Sequence, residues 1–135
     1  MVSSINAKCM PEFYAKARTD YELWMITLEI LNDENLNLKE SMLLIFQSDL
    51  TDHYLEKAEV LQSRLLTISE RLHSIGIKLK YLRSAALIQM PSRIQIGPIS
   101  KTRHQYLEND IEDIKFSMLK LKEEITAFKA NYLSI

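Results

Sequence analysis

Residues 61–82 read LQSRLLTISERLHSIGIKLKYL, and the apolar side chains Leu61, Leu65, Ile68, Leu72, Ile75, Leu79 and Leu82 recur there at alternating steps of four and three. An α-helix turns once in 3.6 residues, so this spacing gathers all seven onto one face as a heptad seam. The same step runs back through Ala58 to Tyr54 and on to Ala86 without a slip, which predicts a helix over about 52–88. Gly76 falls inside it at a cost of about 1 kcal/mol relative to alanine, and a close helix crossing is expected at that point.

Upstream, a second seam runs through Tyr14, Ala17, Tyr21, Trp24, Leu28, Leu31, Asn35, Leu38, Met42 and Ile45 and predicts a helix over about 12–48. Pro11 and Glu12 suit a first helical turn, which leaves residues 1–11 as an N-terminal tail. Ser48, Asp49, Thr51 and Asp52 compete for backbone hydrogen bonds and can then cap the second helix, so a tight helical hairpin is expected there. Downstream, Pro91, Gly97 and Pro98 predict a loop over about 89–101. The third seam, Leu107, Ile111, Ile114, Met118, Leu121, Ile125, Phe128 and Tyr132, predicts a helix over about 102–133 capped by Ser100 or Thr102. At 1.5 Å per residue the three helices measure roughly 48 to 55 Å. Matched lengths and short connections predict an all-α fold, with three long antiparallel coiled-coil-type helices forming an elongated bundle as a single domain over 12–135.

Composition agrees. A chain of 135 residues that is 47% hydrophobic and 26% charged can bury a core, unlike a disordered segment. Two glycines and three prolines leave little to punctuate a mixed fold. The longest apolar run, Met42 to Phe46, is too short to cross a bilayer, and the first ten residues lack the apolar core of a signal peptide. A single cysteine, Cys9, cannot close an internal disulfide, so the expected compartment is the cytoplasm.

On the first helix, Glu34, Asn35, Leu36, Asn37, Leu38 and Lys39, and on the second Leu55, Glu56, Lys57, Ala58 and Glu59, form segments that resemble short uncharacterised helical proteins of Bacteroidetes. The resemblance extends loosely from about residue 12 onward. It implies a bacterial helical protein and brings with it no catalytic or binding residue.

Chemistry has few places to reside. Glu70 and His73 have the Glu-x-x-His spacing of helical di-iron proteins, but no second such pair occurs, and the seam residues around them turn both toward the outer face. His53 and His104 fall at expected helix starts, where cap and surface roles account for them. Cys9 stands alone, and the only glycines are Gly76 and Gly97, so neither zinc-ligand spacing nor a phosphate loop is present. The sequence therefore predicts no enzyme, no metal site and no cofactor. Asn35 is the one polar residue on the first seam, where it either fixes helix register and partner number or marks a watered stretch.

Charge is unevenly spread. Residues 1–70 carry six Lys and Arg against twelve acids, 71–107 carry seven against none, and 108–135 carry four against six. Folding should gather the central cations at one tip, where Arg83, Arg93, Lys101 and Arg103 are the candidate anion-docking residues. Alternatively, these cations complement the dipole of the second helix and pair with acids near the same end. Leu23, Ile26, Ile30, Leu36, Leu43, Leu44, Val60, Leu66, Ile77, Tyr81, Phe116 and Leu119 lie outside the seams; some can simply flank a seam, but three helices are not expected to hide all of them. The expected function is a structural or scaffolding module, a homo-oligomer and most simply a dimer, that offers helical faces to an unidentified protein partner. Weak binding to nucleic acid or an anionic membrane surface through the basic tip is the alternative.

Overall fold

Once a seam is apolar along its whole length, a helix must lay it against neighbours, and the chain supplies those neighbours itself. The computed structural model describes the backbone of residues 2–89 and 97–133, and the side chains of residues 15–84 and 101–132. Three helices, α1 (Val2–Phe46), α2 (Asp52–Gln89) and α3 (Gly97–Leu133), succeed one another, and the described residues hold no strand. Each helix touches the other two. Their 45, 38 and 37 residues make them about 68, 57 and 56 Å long.

Every buried apolar side chain among the described residues occupies one of the three seams. Leu65, Leu79, Ile114, Met118 and Leu121 are fully enclosed, and one contiguous cluster joins Ala17 and Tyr21 to Ile125 and Phe128. Trp24, Leu38 and Tyr54 pack against this cluster from half-buried positions. Polar pairs at the seam margins set the levels at which the helices meet. Between α1 and α2, Glu22 meets Arg83 and Asn35 meets Ser69. Between α2 and α3, Arg64 meets Glu124 and Lys78 meets Asp110. In both sets the residue numbers rise on one helix as they fall on the other. Between α1 and α3 they rise together, through Asp20 with His104, Glu34 with Lys122 and Ser48 with Tyr132.

The turn between α1 and α2 is short and well bonded. Gln47 N–H donates to the Leu43 carbonyl, and the Ser48 N–H and hydroxyl both donate to the Ile45 carbonyl, at 3.1 and 2.6 Å. With its hydroxyl proton committed there, Ser48 accepts from the Tyr132 hydroxyl of α3. Thr51 is the cap of α2, because its carbonyl accepts the first helical bond, from Leu55 N–H at 2.8 Å. Asp52 stands next in the first turn, where its carboxylate favours the helix dipole.

Two helix starts differ from the sequence expectation. α1 begins at Val2, so the segment expected as a tail is helical and Pro11 lies inside the helix. Proline removes one backbone donor and crowds the carbonyl four residues back, which is why it reads as a start. Good helix formers on both sides, Ala7, Lys8 and Met10 before it and Glu12, Ala15 and Lys16 after it, favour running the helix through. α3 begins at Gly97, earlier than the expected cap at Ser100 or Thr102. Pro98 then sits in the first turn, where its missing N–H has no partner to lose. Of the expected loop, residues 90–96 lie outside the described residues.

Gly76 also departs from expectation. α2 passes through it unbroken, but a Cβ built there would meet nothing within 4 Å, so no neighbouring helix approaches closely. Its cost is therefore not offset by packing. Gly76→Ala should raise stability by about 0.5–1 kcal/mol in denaturant titration, since alanine both favours the helix and restricts the unfolded chain. Leu72→Ala, which empties a buried seam position, should lower it by about 2–5 kcal/mol. Unchanged unfolding midpoints in the two variants would contradict this account of α2.

Candidate functional site

Asn35 occupies the centre of the α1 seam and is buried. Its side-chain Nδ2 donates to Ser69 Oγ on α2 at 3.1 Å, and Ser69 Oγ in turn donates to the Leu65 carbonyl of its own helix at 3.0 Å. A hydroxyl has one proton, so giving it to Leu65 leaves a lone pair directed at the asparagine amide. The sequence singles out Asn35 but not Ser69, which lies one position off the α2 seam. Such a pair forms only when α1 and α2 are in this register, and a slip by a turn would leave a buried amide without its partner, at about 1–3 kcal/mol.

One end of the bundle holds an aromatic box. His104, expected as a cap or surface residue, is instead 9% exposed. Its Nε2 lies 3.0 Å from an Asp20 carboxylate oxygen, and its ring packs 5.3 Å from that of Tyr21 and 4.9 Å from that of Trp24. The earlier start of α3 explains the correction. With the helix beginning at Gly97, His104 stands in the second turn and, three residues before Leu107, continues the seam inward. That spacing is visible in the sequence, but a helix start at Ser100 or Thr102 hides it. At the other end Tyr54, Phe128 and Tyr132 form a second ring cluster, with centroids 5.6 to 6.3 Å apart.

Among the described residues the basic side chains divide between two helix boundaries. Arg83 Nε donates to a Glu22 carboxylate at 2.9 Å, on the side of α2 that faces α1. Lys78 lies 3.7 Å from Asp110, and Arg71 donates to Ser117 Oγ at 3.3 Å, both across the boundary between α2 and α3. Arg103 belongs to that same boundary, with its guanidinium 5.8 Å above the Tyr81 ring. Lys101 is exposed near the start of α3, and Arg93 lies outside the described residues. Arg83 and Arg103 thus line different clefts of the bundle. Glu70 and His73 are exposed, and among the described residues no three His, Cys, Asp or Glu side chains are grouped to hold a metal ion. The side chain of Cys9 is outside the described residues. No described helix is long and apolar enough to cross a membrane.

The outer surface carries the largest unexplained feature. All twelve apolar residues that the sequence places outside the seams are more than half exposed, and Leu44 and Phe116 reach 68%. Leu23, Ile26 and Ile30 keep a three-four spacing on the outward face of α1. Between α2 and α3 lies an open groove of about 420 Å³, lined by Ile77 and Tyr81 on one side and by Tyr106 on the other, with Lys78, Arg103 and Asp110 at its margins. Tyr106 is exposed as well and adds to the off-seam residues that the sequence pattern picks out.

Burial and then the neighbouring Asp20 carboxylate push the Tyr21 hydroxyl above its ordinary value of 10.0. Because the folded state holds this proton more tightly, the associated stability is complete below about pH 10 and is lost as pH rises through the higher folded value. Stability measured from pH 9 upward should therefore fall less steeply in Tyr21→Phe than in the parent protein, and equal slopes would contradict the burial of this hydroxyl.

No protein-family model, curated protein or solved structure matches the chain.

Proposed function

We propose that the chain is a structural or scaffolding interaction module: an antiparallel coiled-coil-type bundle that self-associates in the cytoplasm and presents helical faces to protein partners. One observation carries the reading, the set of large apolar side chains left more than half exposed on the outer faces of all three helices. Covering them removes apolar area from water at about 25 cal/mol per Å², and large exposed apolar patches mark interaction sites. The opposed numbering of the pairs between α1 and α2 and between α2 and α3 supports the antiparallel arrangement. The Asn35–Ser69 pair supports register control, because a polar residue at a seam position trades stability for one alignment of the helices. A lone cysteine suits a reducing compartment.

The alternative, docking of nucleic acid or an anionic surface on the basic residues, draws less support. Glu22 and Asp110 already engage Arg83 and Lys78, and the aromatic side chains near them, Tyr81 and Tyr106, are few for stacking on bases. Light scattering on the purified protein should report more than one chain per particle, increasingly so with concentration. A strictly single-chain mass at high concentration would remove the scaffold reading.

A further inference from the structure

We propose that the groove between α2 and α3 receives the outward stripe of α1 from a second copy of this chain. The inference rests on the self-association reading and adds to it which surfaces meet. Ile77, Tyr81 and Tyr106 give the groove an apolar lining, and Arg103 stands at its edge with its guanidinium over the Tyr81 ring. Among the described residues Arg103 has no carboxylate partner, and Lys80 is exposed one position from Tyr81. The stripe on α1 is the converse. Leu23, Ile26 and Ile30 lead at the next step of three to Asp33, an exposed carboxylate with no cationic partner among the described residues. An apolar strip that ends in an acid thus faces an apolar groove that ends in a base.

Ile26 to Asp33 rises about 10 Å along its helix, and so does Arg103 to Asp110 along the groove, with Leu23 extending about one turn past it. Seating the strip with Asp33 at Arg103 lays its aliphatic side chains toward Ile77. The contact is between unlike surfaces. Ser69 and Arg83 mark the side of α2 that faces α1, whereas Lys78 and Arg64 mark the side that faces α3. The groove therefore opens away from α1, and the stripe and the groove lie on opposite sides of one bundle. A contact of this kind is heterologous, so a joined pair of copies still has one free stripe and one free groove, and association continues past two chains.

Sedimentation velocity across a concentration series, on the parent protein, on Asp33→Arg, on Arg103→Glu and on an equimolar mixture of the two variants, tests this. For the parent, mass should grow beyond two chains. Each variant alone brings like charges together and should raise the concentration at half-association by about tenfold or more, while circular dichroism shows unchanged helix content. The mixture should recover parental association. In it the stripe made basic in one variant meets the groove made acidic in the other, and the unaltered Asp33 stripe meets the unaltered Arg103 groove. If a reversed side chain lowers helix content, Asp33→Asn and Arg103→Gln read the same contact, each with a several-fold weakening. Parental association in both single variants, or a mixture no better than either alone, overturns the stripe-and-groove contact while leaving self-association by another face intact. A parent protein that stays a single chain overturns the contact and the scaffold reading together.

Discussion

A helix of some forty residues cannot hide an apolar face by itself, and each of the three helices here carries such a face, interrupted on α1 by Asn35. Isolated helices gain little per residue in water, so the stability of α2 comes chiefly from laying Leu61 through Leu82 against two neighbours. Everything else depends on satisfying three seams at once. Helix lengths must be comparable, connections must be short, and any polar residue on a seam must find a partner across it. Asn35 does so through Ser69, and His104 through Asp20.

The seams were legible because their period is the physical cause of burial. Leu65, Leu79, Ile114 and Leu121 are enclosed for the reason that their spacing announces, and Leu23, Ile30 and Phe116 are exposed for the complementary reason. Helix starts were less legible, since Pro11 and Pro98 signal a boundary wherever they stand, yet one lies inside α1 and the other in the first turn of α3. That second boundary alone hides the seam position of His104. Gly76 departs from expectation for a different reason: glycine in a helix is compatible with a close crossing or with open space, and local sequence does not separate the two.

Charge shows how a one-dimensional tally misleads. Residues 71–107 contain seven cations and no acid, which suggests a strong local field. The fold sets other segments beside them, so that Arg83 meets Glu22 and Lys78 meets Asp110. These pairs are largely exposed, and their contribution to stability is accordingly small, about 0–1 kcal/mol each. Their larger effect is on alignment, since they meet only at one relative level of the helices.

Trp24 is the only tryptophan in the chain, and its ring packs at one end of the bundle against His104 of α3. The emission of that indole therefore tracks the docking of α3 onto α1, whereas far-ultraviolet dichroism tracks helix content in all three segments. A state in which α3 had come away while the helices persisted would change the first signal and spare the second. The molecule thus carries its own optical distinction between assembled helices and helices alone.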